Sequence, residues 1–174
     1  VGSEMCIRDS HPDMALADAR ALVPDMHIEM LDPARGPAAL DKCARWLRRY
    51  TPWVGADTHP ASHGLVLDIS GCAHFFGGER RMLDDMRARF NRRGITCCIA
   101  VADTIGSAWA LAHYGPDNII IAPSGHGADA VMDLPPDALR LPAEACDLCR
   151  RLGLDSIAAL AAFPRASLTR RFGP

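Results

Sequence analysis

Short apolar runs alternate along this chain with stretches in which apolar residues recur every three or four positions. The recurrence predicts helices at 13–23, 38–50, 80–93 and 106–113, and the runs predict strands at 53–56, 65–69, 95–102 and 119–122. From residue 53 onward the order is two strands, helix, strand, helix, strand. This order predicts an α/β (α+β) sandwich close to the ferredoxin-like split arrangement, without an N-terminal strand.

One carboxylate interrupts the most apolar stretch, GLVLDISGCAHFFGGE at 64–79. Asp68 lies within the predicted strand, where a buried charge must be hydrogen-bonded, ion-paired or bound to a metal. A structural role is favoured, because catalytic metal sites need several converging carboxylates. Gly77 and Gly78 predict a tight turn before a helix; a phosphate site at this turn is the weaker interpretation.

The pattern changes after residue 123. Residues 124–133 are predicted to be a Gly-containing linker, and the chain from residue 134 onward is predicted to be all-helical. Within it, Gly153 predicts the end of one helix and Ser156 the N-cap of the next, which is the pattern of a helix-hairpin-helix element. Such a hairpin can offer backbone N–H groups to a phosphate, with Arg150 and Arg151 adding charge; a plain helical hairpin is an equally weighted alternative.

Composition narrows the class of protein. The chain has 174 residues, is 49% hydrophobic and carries a net charge of −2, so it can bury a core and shows no global nucleic-acid signal. Lys42 is the sole lysine among 19 basic residues. No run of eighteen apolar residues and no signal segment is present, so we expect a soluble, cytoplasmic protein without a membrane partner.

The seven cysteines raise two chemical hypotheses, both weak. An odd number with adjacent Cys97 and Cys98 argues against a disulfide framework. Cys146 and Cys149 have the spacing of half a zinc site but lie in a predicted helix, and Cys72 with His74 could supply further ligands. A cysteine nucleophile activated by His74 or His63 is less favoured still, since nothing in the sequence brings base and thiol together.

Several segments together resemble the Y-family of translesion DNA polymerases, and within it the catalytically degenerate ImuB-like branch. The matching segments follow the family's order at 14–26, 45–54, 64–79, 99–115 and 139–173. The resemblance implies partial fingers at 11–35, a polymerase palm lacking its N-terminal strand at 36–123, and a small, truncated helical thumb at 134–174. Residues 1–10 resemble a recurrent assembly artefact and are left out of fold reasoning, and the chain is expected to be a fragment.

The departures from the family pattern concern its chemistry. Val66-Leu67-Asp68 matches the family's Tyr-Leu-Asp strand, which puts His63 and Gly64 where active members carry an Asp-Glu pair that binds two metal ions. Asp68 is then structural, and no catalytic or metal-binding residue is expected. Gly36-Pro37 stands where the family has its triphosphate-binding tyrosine. Thr104-Ile105 and Ala108-Trp109 stand where it has two lysines, and residues 140–144 replace its glycine-rich thumb hairpin.

The resemblance therefore implies a non-catalytic adaptor in damage-induced mutagenesis. Its implied partners are DNA, the sliding clamp, an ImuA-like protein and an error-prone C-family polymerase, with no cofactor. The residues expected to contact DNA are Arg150, Arg151, Gly153, Ser156, Arg170 and Arg171. One alternative is an active, magnesium-dependent Y-family polymerase that uses Asp57 and Asp68; a weaker one is an unrelated α/β small-molecule binder at Gly77-Gly78.

Overall fold

The structure, a computed structural model, describes residues 14–30, 32–57, 64–164 and 167–168. The chain divides into two compact units, Val1–Ala39 and Leu40–Pro174. In the first unit, α1 runs from Leu16 to Leu22 and buries no side chain. The helix predicted at 13–23 is thus confirmed, whereas residue 13 and the segment 1–10 lie outside the described residues.

Helix α2, Arg35–Leu47, begins in the first unit and ends in the second. The helix was predicted at 38–50, and this prediction was wrong at the start, because Gly36 and Pro37 already belong to the helix. Pro37 lies in the first turn, where a backbone N–H has no intrahelical acceptor, so a proline there costs no hydrogen bond.

The second unit contains the predicted order of elements. Strand β1 (Val54–Ala56) pairs antiparallel with β2 (Leu65–Leu67), which confirms the predicted hairpin-like pair. Helix α3 (Glu79–Asn91) follows, then β3 (Ile99–Val101), α4 (Ile105–Tyr114) and β4 (Ile119–Ile121), with β3 and β4 parallel. In the described residues the strands form two separate two-stranded sheets. The assignment as a polymerase palm stays a prediction.

One core cluster confirms the predicted apolar stripe of α3. Met82, Leu83 and Met86 are buried together with Leu47 and Tyr50. The three α3 residues recur at positions i, i+1 and i+4, so they share the face that packs against the end of α2 and the sheets. The methionines therefore serve packing rather than a ligand surface.

A second core cluster joins α4 to the following segment. Trp109 and Leu111 of α4 pack with Val131, Leu134 and Ile157. Val131 belongs to a 3-10 turn at Asp129–Val131 inside the predicted linker. The Gly-containing linker predicted at 124–133 therefore includes a short turn whose Val131 side chain is held in the core, and its role as a linker stays a prediction.

The helical end of the described chain consists of a 3-10 turn, Pro136–Leu139, then α5, Ala143–Arg151, and α6, Ile157–Ala161. These confirm the predicted helical character from residue 134 onward. None of the helices in the described ranges has the length and apolarity needed to cross a bilayer.

Candidate functional site

A groove lies between the two sheets and has a volume of about 920 Å³. Residues of β2 and β3 line it on two sides, and Leu83 of α3 and Trp109 of α4 contribute apolar surface. Neither Gly77 nor Gly78 is among its lining residues. The groove therefore does not support the hypothesis of a small-molecule site at the Gly77-Gly78 turn. The carboxylates on its lining are Asp57, Asp68, Asp103 and Glu79.

Asp68 follows the last residue of β2 and is exposed. The expectation of a buried carboxylate inside the strand was wrong, because the strand ends at Leu67. Its Oδ1 accepts a hydrogen bond of 2.9 Å from the Ser70 N–H, and the hydrogen bonds from Ser70 lower the pKa of the carboxyl. This is a local turn contact of the kind that aspartate commonly makes two residues ahead.

Asp57 is engaged by a cation from a distant part of the chain. Arg140 Nη2 lies 2.5 Å from Asp57 Oδ2, with side-chain exposures of 23% and 9%. The Arg140 Cζ also lies 4.2 Å from the centroid of the Trp109 ring, a cation–π contact. The sequence had assigned Asp57 to a possible metal pair, and the structure places a guanidinium on that carboxylate.

Asp103, which the sequence analysis did not single out, holds the loop after β4. Its carboxylate accepts hydrogen bonds from Ser124 Oγ at 3.0 Å and from the Gly125 N–H at 2.6 Å. No local motif marks this role, because the donors lie more than twenty residues further along the chain. The carboxylate of Asp103 thus has a structural role in tethering this loop.

The donor set does not fit a two-magnesium site. Gly64, where the resemblance placed one of the family's two acidic residues, has no side chain, and His63 lies outside the described residues. Of the remaining carboxylates, Asp57 binds Arg140 and Asp68 binds its own turn. Within the described ranges no three His, Cys, Asp or Glu side chains are grouped to hold a metal ion. No step can be assigned to magnesium from these residues.

The Cys146–Cys149 pair lies inside α5, as predicted, and both side chains are buried. Burial raises the pKa of both thiols, which favours the protonated form over the thiolate that binds metal or attacks a substrate. The geometry around this pair therefore favours a packing role.

The helical hairpin has the predicted local structure. At the end of α5 the Gly153 N–H donates to the Arg150 carbonyl and the Leu154 N–H to the Cys149 carbonyl, with Gly153 at a φ of +69°. This is a Schellman cap. Ser156 caps α6 by accepting a 3.1 Å hydrogen bond from the Ala159 N–H.

The first backbone donors of α6 are directed at protein acceptors. The Ile157 N–H donates to the Leu134 carbonyl at 2.8 Å and the Ala158 N–H to the Met132 carbonyl at 2.9 Å. A phosphate would have to displace these bonds, so the structure gives no support to Gly153 and Ser156 presenting the backbone to DNA.

The charged side chains of the hairpin remain candidates for DNA contacts. Arg150 is exposed but lies 2.8 Å from Asp147 and 3.8 Å from Asp137. Arg151 is exposed, and no ion pair involves it in the described part of the chain. Arg170 and Arg171 lie outside the described residues, so their role stays a prediction.

The described chain is therefore a mixed helix and strand protein whose groove lacks an assembled catalytic centre within the described ranges. No family model matches it. It is similar to the protein ImuB of Caulobacter vibrioides strain NA1000 / CB15N and of strain ATCC 19089 / CIP 103742 / CB 15, each 45% identical over 162 residues. The match covers 93% of this chain and 34% of each relative, so the chain spans about a third of the length of the curated relatives it matches.

Proposed function

We propose that this chain belongs to a non-catalytic, Y-family polymerase-like protein of the ImuB-like branch, an adaptor in translesion synthesis and damage-induced mutagenesis. The observation that carries the proposal is its 45% identity to ImuB over 93% of its length. The activity and the partners of the whole protein are part of the proposal, because the match covers 34% of that relative.

We propose a palm-like role for 36–123 and a thumb-like role for 134–174. The groove has β2 on one side and β3 on the other. In the described residues β2 pairs only with β1, and β3 pairs only with β4. Strand edges left open in this way are templates for a further strand. We propose that a strand supplied by the rest of the full-length protein fills the groove and unites the two sheets.

We propose that polymerase chemistry is absent because the carboxylates beside the groove are already engaged by other groups of the protein. Two-metal nucleotide transfer needs acidic oxygens free to bind cations. Arg140 already neutralises Asp57, Asp68 is held in its turn by Ser70, and Gly64 contributes no oxygen donor from a side chain. These contacts favour a scaffold over the alternative of an active enzyme that uses Asp57 and Asp68.

Primer extension by the full-length protein with magnesium tests this directly. We expect no nucleotide incorporation above that of a buffer blank, and no change in Asp57→Asn or Asp68→Asn variants. Incorporation that is lost in the Asp68→Asn variant, while its thermal unfolding is unchanged, would establish the active polymerase instead.

An adaptor must also hold its partners. We propose DNA, the sliding clamp, an ImuA-like protein and an error-prone C-family polymerase. Binding of each purified partner to the full-length protein can be measured by light scattering and by competition. A full-length protein that binds none of the three proteins would contradict the adaptor role, whatever the outcome of primer extension.

A further inference from the structure

A small apolar pocket lies away from the groove, between the end of α2 and the end of α3. Its lining residues, here called the Trp46 pocket, are Lys42, Cys43, Trp46, Phe90, Arg93 and Ile95. The volume is about 220 Å³, below the range of about 300–1,000 Å³ typical of sites for small molecules. A pocket of this size suits a single side chain rather than a whole ligand.

Two aromatic side chains, Trp46 and Phe90, line this pocket. The ring centroids of Trp46 and Phe90 lie 5.1 Å apart in an edge-to-face arrangement. The Trp46 Nε1 is buried and has no hydrogen-bond partner in the described part of the chain. The two rings give the pocket an apolar wall against which an aliphatic side chain can pack.

The rim is positively charged. Lys42 and Arg93 line the pocket, and the guanidinium of Arg49 lies over the indole, with its Cζ 4.3 Å from the ring centroid. Among the described residues none of these three cations takes part in an ion pair. No acidic residue lines the pocket. The surroundings therefore favour an occupant with negative charge.

Nucleic acid would bring negative charge too, but it fits this pocket less well. Single strands bind by stacking bases on open aromatic faces. The Trp46 ring already carries Arg49 at 4.3 Å and Arg93 at 5.2 Å. An aliphatic anchor can enter the pocket beside these cations, whereas a base would have to displace them.

We propose that the Trp46 pocket docks an acidic protein segment through one apolar side chain. The anchor fills the space beside Phe90 and Ile95, and flanking carboxylates meet Lys42, Arg49 and Arg93. This surface lies apart from the groove and does not depend on whether polymerase chemistry is retained.

The test uses the full-length protein and fluorescence anisotropy. The probes are a short labelled peptide of Asp and Glu with a central Leu, the same peptide with a central Ala, and labelled oligo(dT). We expect the Leu peptide to bind about tenfold more tightly than the Ala peptide, from the apolar surface of the extra carbons. The oligo(dT) should not compete with the Leu peptide.

Two variants and one control test whether the peptide binds at the Trp46 pocket. Arg93→Glu should weaken the Leu peptide at least tenfold, while Arg20→Glu, the same charge change on an exposed arginine of α1, should not. Ile95→Ser, at a residue already 42% exposed, should remove the preference for Leu over Ala. Equal binding of the two peptides, equal loss in both arginine variants, no measurable peptide binding, or displacement of the peptide by oligo(dT) would each overturn the proposal.

Discussion

Arg140 and Asp57 form an ion pair across 83 positions of sequence, with Nη2 2.5 Å from Oδ2. Arg140 follows the 3-10 turn Pro136–Leu139 and, at a φ of +56°, is the one described non-glycine residue with a positive φ. Asp57 directly follows β1, and its N–H donates to the Gly64 carbonyl across the hairpin. The pair therefore ties the end of the 3-10 turn Pro136–Leu139 to the hairpin that borders the groove.

Removing one member of this pair should be strongly destabilising. Arg140→Met removes the guanidinium from the Asp57 carboxylate and from the Trp109 ring, and we expect a loss of about 3 kcal/mol. Urea unfolding of the full chain measures this loss. Arg150→Met is the matched control, because Arg150 is 61% exposed and its ion pairs should contribute under about 1 kcal/mol. Equal effects of the two substitutions would contradict the structural role of Arg140.

Tyr50 should make stability depend on alkaline pH. Its side chain is 2% exposed and its hydroxyl donates to Asp85 Oδ2 at 2.7 Å. Burial, followed by the hydrogen bond to Asp85, raises the pKa of Tyr50 from 10.0 to about 12. Because the folded state holds this proton more tightly than the unfolded state, the associated stability is complete below pH 10 and is lost as the pH rises toward 12.

Tyr50→Phe separates this effect from general alkaline unfolding. The variant should lose about 1 kcal/mol near neutral pH from the missing hydrogen bond. It should also lack the part of the stability decline between pH 10 and 12 that comes from Tyr50. Denaturant midpoints of the variant and of the unsubstituted chain across this pH range provide the measurement. A decline in the variant that parallels that of the unsubstituted chain would exclude Tyr50 as the titrating group.

Gly115 should not tolerate a side chain. A Cβ at this position would meet the Leu111 carbonyl oxygen and the Ile120 Cδ1, so a helix end and β4 approach each other there. We expect Gly115→Ala to cost about 1–3 kcal/mol. Gly106→Ala, in the same helix with nothing within 4 Å, should gain about 0.5–1 kcal/mol. Thermal unfolding of the two variants checks both the size and the opposite sign of these effects.

The helical hairpin should bind DNA through its arginine side chains and not through its backbone N–H groups. Arg151→Gln should weaken binding and reduce the slope of log affinity against log salt by about 1. Arg150→Gln should do less, because Asp147 and Asp137 already offset its charge. Titrations of labelled duplex at several salt concentrations, with Arg20→Gln as the control, measure the slopes. A salt-independent affinity would remove these arginines from the interface.

Local patterns in the sequence were sufficient for most of the elements. The apolar spacing of Met82, Leu83 and Met86 predicted a packed helix face, and Gly153 with Ser156 predicted the hairpin between α5 and α6. Helix periodicity, caps and turn glycines act over a few residues, so they can be read without the tertiary structure. The same reasoning missed the start of α2, because a proline is compatible with both a loop and a first helical turn.

The sequence by itself determined the order of most helices and strands and that position 64 carries no side-chain oxygen donor. Only the tertiary structure decided what the remaining polar groups do: Arg140 reaches Asp57, Asp103 holds the loop at Gly125, and Leu134 accepts a hydrogen bond from the beginning of α6. The reason is that these contacts join residues about 20 to 80 positions apart, whose meeting depends on how the helices pack against the sheets and not on any local preference.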